Sequence, residues 1–136
     1  MLTPFDETGQ IDEESQRRLI DHVLDAGVTG LVAMNRIGEG ESLTMDERRR
    51  TMKVVVDHVN GRVPVGCGIV DATFENGLAI GRIVRETGGD FVMSRPSIDG
   101  DLSEYYLKLA DIIPVMVYDL GKQQGELSIE IDILPL

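Results

Sequence analysis

VTGLVAMNRIGEGESLTMDERRR (residues 28–50) passes from an apolar run through a polar loop to a helix signature. Gly30-Leu31-Val32-Ala33-Met34 has the continuous apolar character of a strand buried on both faces. Asn35-Arg36-Ile37-Gly38-Glu39-Gly40 is polar and punctuated by glycine, as loops are. Thr44 with Glu47 three residues later has the spacing of a capping box, in which hydroxyl and carboxylate satisfy each other's backbone N–H groups. The unit is strand, loop, capped helix, and the rest of the chain repeats it.

Toward the N-terminus, Asp12 is placed to cap a helix running to about Ala26, with Leu19, Ile20, Val23 and Leu24 on one stripe and Gly27 as its stop. Downstream, the helix from Met45 to about Asn60 carries Met52, Val55, Val56 and Val59 at i, i+3, i+4, i+7. A strand over residues 63–70 follows, whose Gly66 and Gly68 allow close approach of a neighbouring backbone. Thr73 caps a helix buried through Ala79, Ile80, Ile83 and Val84 and closed by Gly88-Gly89. Residues 90–94 form a short strand, residues 95–101 a polar loop, and Ser103 begins a helix through Ala110. Residues 113–119 are a β-rich strand, and another helix is expected from Ser128. Strands starting near residues 28, 63, 90 and 113 are 35, 27 and 23 residues apart. That period suits an eight-fold β/α barrel at roughly 30 residues per unit. It equally suits an open doubly wound sheet of the flavodoxin kind, and periodicity does not choose between them.

With 136 residues, 42% hydrophobic and 27% charged, the chain reads as one α/β domain with ordinary globular balance. A net charge of −11 argues against nucleic acid or an anionic membrane as partner, because phosphate neutralisation needs clustered cations. Arg48-Arg49-Arg50 is the one basic run, and flanked by Asp46 and Glu47 it reads as a solvated helix face. Cys67 stands alone in an expected buried strand, so no disulfide framework is expected and the thiol reads as a small core residue. No metal-ligand spacing occurs, and no cofactor is expected. Neither a signal peptide nor an apolar run approaching ~20 residues is present, so a cytoplasmic location is expected.

In a parallel β/α layout the loops after the strands make the functional face. The candidates there are Asn35, Arg36 and Glu39, then Asp71 and Thr73, Ser94 and Arg95, and Tyr118 and Asp119. Arg36 offers a planar fork of donors for a carboxylate, or it pairs with Glu39 or Glu41 at the surface. Lys53 and Lys108 fall on helices and Lys122 in a loop. His22 and His58 read as surface or packing residues on helices.

Gly38, Glu39, Leu43, Thr44 and Glu47 resemble the second unit of the dihydrodipicolinate synthase / N-acetylneuraminate lyase family, whose loop runs Gly-Thr-Thr-Gly-Glu before a Leu and a Ser/Thr cap. Asn35, Arg36 and Ile37 stand where that loop has Gly-Thr-Thr. Leu2-Thr3-Pro4-Phe5-Asp6 through Gly9 resembles the end of the family's first strand and its loop. Val63-Pro64-Val65 with Gly68, and Val117-Tyr118, resemble its third and fifth strands. The resemblance implies a partial TIM (β/α)8 barrel, about the first five β/α units, in one N-terminal part covering residues 1–136. It implies a Schiff-base aldolase, synthase or dehydratase acting on pyruvate-like or keto-deoxy sugar acids. Tyr118 takes the place of the family's proton-relay tyrosine, a phenol able to donate to and accept from a substrate oxygen. The competing reading is a half-buried strand tyrosine bonded to a loop.

The resemblance places substrate binding at Arg36, Ile37, Gly38 and Glu39, with Arg36 and Ile37 offering no hydroxyl and Gly38 a main-chain N–H for an anion. Tyr118-Asp119-Leu120-Gly121, like Ser42-Leu43-Thr44, resembles the branch acting on keto-deoxy sugar acids. The family's Schiff-base lysine lies on a sixth strand, expected past Leu136, and no lysine here falls at a strand end. The partner expected is therefore a small 2-keto acid. Unpaired strand edges of a part-barrel add an expectation of self-association. The contrasting reading is a non-catalytic half-barrel or open-sheet module that binds a partner or a small anion.

Overall fold

The computed structural model describes residues 1–70, 73–95 and 101–118. Helix α1 spans Glu13–Asp25, strand β1 Leu31–Ala33, α2 Met45–Val59, β2 Val65–Ile69, α3 Phe74–Thr87, β3 Phe91–Ser94, α4 Leu102–Ala110 and β4 Val115–Val117. A short 3-10 turn, Gly40–Ser42, lies between β1 and α2. Each α-helix starts where a short polar side chain takes up an otherwise unpaired backbone N–H. Asp12 accepts from the Ser15 N–H at 3.0 Å, and Thr73 from Asn76 at 3.2 Å. Thr44 and Glu47 form the reciprocal capping box, with Glu47 N–H donating to the Thr44 hydroxyl at 3.2 Å and Thr44 N–H to the Glu47 carboxylate at 2.8 Å. For α4 the cap is Asp101, which accepts from Ser103 and Glu104 N–H, so this helix begins one residue before the expected Ser103. Gly27, Asn60 and Gly88 end α1, α2 and α3 with left-handed backbone.

The strands form one parallel sheet in the order β1-β2-β3-β4. That order resolves what periodicity left open. A doubly wound sheet reverses its strand order at a switch point. Here every crossover steps to the next strand in the same direction, and crossovers of one hand put successive helices on one face. Accordingly α1 packs on α2, α2 on α3 and α3 on α4 as a single outer layer.

Register divides the side chains between two faces. Leu31, Val65, Cys67, Val92 and Ile69 join Ile20, Met52, Val55, Ile80, Val84 and Leu109 in the core under the helices. The opposite face carries Val32, Gly66, Phe91, Gly68, Met93 and Met116, and is less deeply covered. All five residues of β2 are buried, including Cys67 as expected, because it has neighbours on both sides and a helix layer above.

Residues 2–5, which resemble the end of a first strand, add no rung to this sheet among the described residues. They run beside β1, where the Met1 nitrogen donates to the Val32 carbonyl at 2.8 Å. Asp6 closes the following turn by accepting from Thr8 N–H, Thr8 hydroxyl and Gln10 N–H, and these bonds hold its carboxyl below the usual range. The helix expected from Ser128 lies outside the described residues.

Candidate functional site

The loop after β1 is shaped by close contact. β1 ends because Met34, completely buried, adopts φ 51°, a left-handed conformation that costs a methionine about 1–2 kcal/mol. The chain then crosses the ends of the strands. Asn35 Oδ1 accepts from Gly38 N–H at 2.9 Å, and the Asn35 carbonyl accepts from Gly40 N–H at 3.1 Å. A Cβ at Gly40 would lie 2.0 Å from the Met34 carbonyl oxygen, and one at Gly68 would lie 2.5 Å from Asn35 Cα. Glycine at those positions lets the loop fold onto itself and onto β2. The Gly38 carbonyl accepts from the Thr3 hydroxyl at 2.7 Å, tying the loop to the N-terminal segment.

Arg48 clasps the same loop from α2. Its Nε donates to the Leu43 carbonyl at 3.3 Å and a terminal nitrogen donates to the Gly40 carbonyl. Arg48 is 1% exposed, which corrects the reading of the Arg48-Arg49-Arg50 run as a solvated face. Only its neighbours fit that reading: Arg49 pairs with Glu86 and Arg50 with Glu13 at the surface.

The loop, the ends of β2 and β3 and the residue after β4 enclose an open cavity of about 190 Å³. Asn35, Arg36, Ile37 and Glu41 line it from the first loop, Ile69 and Val70 from β2, Met93 and Arg95 from β3, and Tyr118 from beyond β4. It opens at the C-terminal ends of the parallel strands, where a β/α layout concentrates function. Arg36 and Tyr118, named from sequence, are thus brought to one cavity. Ile37 lines it as an apolar side chain, 72% exposed. Arg36 forms no ion pair with Glu39 or Glu41 among the described residues, so its donors are open to a ligand. Tyr118 is anchored by its backbone N–H, which donates to the Ser94 carbonyl at 2.8 Å. Its side chain is 44% exposed, and among the described residues its hydroxyl has no protein partner.

Other candidates are placed elsewhere. Gly38 and Glu39 do not line the cavity. The Gly38 N–H is already bonded to Asn35, and Glu39, in left-handed backbone at φ 55°, initiates the 3-10 turn. Thr73 caps α3, and Ser94 is buried with its hydroxyl 3.2 Å from that of Tyr105, so both serve the fold. Asp71, Asp119 and Lys122 lie outside the described residues. Lys53 pairs with Asp57 and Lys108 with Glu104. Hydrogen bonding to Glu104 holds the Lys108 ammonium above its usual pKa, the reverse of what an amine nucleophile needs. His22 is exposed, while His58 contacts Asp21 at 2.9 Å and holds that carboxyl below the usual range together with Arg62. The sequence reading missed Glu41, Ile69, Val70 and Met93 as cavity residues. For the last three the available signal was their position at strand ends.

Known proteins resemble this chain in sequence and in fold. The Dihydrodipicolinate synthetase family pattern matches residues 1–131. The 4-hydroxy-tetrahydrodipicolinate synthase of Oceanobacillus iheyensis is 35% identical over 133 residues, covering 92% of this chain and 45% of that protein. The enzyme of the same name from Thermus thermophilus is 33% identical, covering 90% and 44%. Among solved structures, a prophage protein of the dihydrodipicolinic acid synthase family from E. coli, in complex with pyruvate, superposes with a TM-score of 0.78 at 28% identity, covering 87% of this chain and 42% of that one. CdNal from Clostridium difficile, in complex with mannosamine, gives a TM-score of 0.79 at 22% identity over 94% and 47%, a likeness of fold. The chain therefore spans about half the length of the relatives it matches. These structural neighbours are TIM barrels matched over their N-terminal halves, so the sheet described above is part of a barrel. With the pattern matched across nearly its whole length, the chain belongs to the Dihydrodipicolinate synthetase family.

Proposed function

We propose that this chain supplies the carboxylate-binding and proton-relay side of a class I lyase site acting on pyruvate-like or keto-deoxy sugar acids. One observation carries the reading: Arg36 and Tyr118, from opposite ends of the sheet, line one cavity at the strand ends, each with donors free among the described residues. The Arg36 guanidinium takes the substrate carboxylate in the fork geometry natural to it. Tyr118 passes a proton to or from the substrate oxygen or the adjacent carbon. Ile37, with Ile69, Val70 and Met93, supplies apolar walls that lower the local dielectric and strengthen both interactions. Gly38 and Glu39 contribute by shaping the loop, since neither reaches the cavity. A Schiff base requires an amine that is neutral when it attacks, which excludes Lys53 and Lys108 in their ion pairs. The amine must come from outside the described residues.

The contrasting open-sheet module loses support from the sequential strand order. A non-catalytic half-barrel remains the outcome to test. Titration of the 136-residue chain with pyruvate, followed by NMR, should show saturable binding. Arg36→Ala should weaken that binding by up to about tenfold, the lower end for a hydrogen bond to a charged group because Arg36 is exposed. Tyr118→Phe should leave affinity nearly intact and slow turnover in any assembly that catalyses, since a proton relay acts mainly in the transition state. Pyruvate with borohydride should label neither Lys53 nor Lys108. Absence of pyruvate binding, or an Arg36→Ala variant that binds equally well, refutes the proposal. A lyase of this class would work in the cytoplasm, a placement that fractionation would check. Among the described residues, no helix is long and apolar enough to cross a membrane.

A further inference from the structure

The cavity carries a second guanidinium whose placement is informative. Arg36 lies in the loop after β1, next to Asn35, which packs against Gly68 of β2, and Arg95 follows β3 with its backbone beside Ile69. Both arginines line the cavity together with the apolar Ile37, Ile69, Val70 and Met93.

Most of the other cations among the described residues have occupations. Arg17, Arg18, Arg49, Arg50, Arg62, Lys53 and Lys108 each hold a carboxylate, and Arg48 holds backbone carbonyls. Among the described residues, the arginines without such a partner are Arg36, Arg82, Arg85 and Arg95. Arg82 and Arg85 are exposed on α3. The other two line the cavity, and Arg95 is half-buried there with its backbone N–H donating to Ile69 at 3.4 Å. Two guanidinium groups lining one cavity with apolar walls match a ligand with two anionic groups joined by a short carbon chain. A small monoanion satisfies only one of them. Glu41 also borders the cavity, but it is exposed and its charge is screened by solvent.

We infer that Arg95 is a specificity-determining anion anchor: the cavity prefers 2-keto acids bearing a second, remote anionic group, with Arg36 at one end and Arg95 at the other. This rests on the keto-acid reading proposed above, and the ligand set is chosen to separate the two ideas. Dissociation constants are measured on the full chain for pyruvate, 2-oxopentanoate, 2-oxoglutarate and glutarate. 2-Oxoglutarate should bind about tenfold more tightly than 2-oxopentanoate, which has the same carbon chain without the second carboxylate. Arg95→Met should collapse that ratio to near one, and Arg95→Lys should restore part of it, because the charge survives and the fork is lost. Circular dichroism checks that both variants keep their helices. A ratio near one in the unaltered chain, or a ratio that survives Arg95→Met, overturns the assignment. If glutarate binds as tightly as 2-oxoglutarate and pyruvate does not bind, the keto-acid reading fails while the Arg95 anchor stands. Failure of every ligand to bind overturns both.

Discussion

Replacing Arg48 tests whether the clasp from α2 holds the functional loop. Arg48→Met keeps most of the side chain's apolar volume and removes the guanidinium. Among the described residues, two hydrogen bonds from a charged donor are lost, each worth about 1.5–3 kcal/mol. Relief of the buried charge offsets a sizeable share of that, because a charge at 1% exposure carries a desolvation penalty of several kcal/mol. The acceptors do not suffer equally. The Gly40 carbonyl still receives the Leu43 N–H at 3.2 Å, whereas the Leu43 carbonyl loses its Arg48 donor. An orphaned buried carbonyl costs about 1–3 kcal/mol, so a destabilisation of at least about 1 kcal/mol is expected. In urea denaturation, with a slope near 2 kcal/mol per molar, the midpoint should fall by at least about 0.5 M. Arg48→Lys should fall between the two, since one amine cannot reach both carbonyls with fork geometry. Because Asn35, Arg36, Ile37 and Glu41 all belong to the clasped segment, pyruvate affinity should drop in Arg48→Met even where the chain is still folded. A midpoint change equivalent to less than about 0.5 kcal/mol, with unchanged pyruvate affinity, would refute the clasp.

Gly68→Ala should cost about 1–3 kcal/mol and weaken pyruvate binding, because its Cβ would meet Asn35 backbone 2.5 Å away and push the loop off β2; calorimetry and NMR titration would show both effects. Stability should decline with acid. Bonds to Ser15 hold Asp12 below the usual carboxylate range, those to Thr44 hold Glu47 there, and His58 with Arg62 holds Asp21. Folded-state values lowered in this way contribute stability that is present above the unfolded pKa and lost as pH falls through the folded one. The urea midpoint should therefore be level near neutrality and fall below about pH 4, and a flat profile to about pH 2 would contradict the assigned bonds. The chain should self-associate, since β4 is the last strand of the sheet among the described residues and exposes Met116 and Val117, with Leu107 70% exposed on the adjoining α4. Light scattering that shows a monomer at high concentration would count against it.

Local chemistry made most of the elements readable in the amino-acid sequence. Caps at Asp12, Thr44 and Thr73, stops at Gly27, Asn60 and Gly88, and apolar stripes such as Met52-Val55-Val59 depend on neighbours within a turn or two, so they survive in one dimension. The same stripe, followed back from Met52 by four residues, reaches Arg48; its charge masked a buried position that helical spacing had already marked. Tyr118 and Arg36 were named from their places at strand ends together with the family resemblance. Their meeting in one cavity was not legible, because it depends on the sheet order β1-β2-β3-β4. The strand period alone allows that order or its doubly wound rearrangement equally. The fold of the loop and its contact with β2 decided the rest. The Gly38 N–H was spent on Asn35 rather than left for an anion, Glu39 was turned away by its left-handed backbone, and Gly68 gave room for a loop more than thirty residues distant. Such contacts are set by the sheet register and the fit of the loop against it, which only the folded chain brings together.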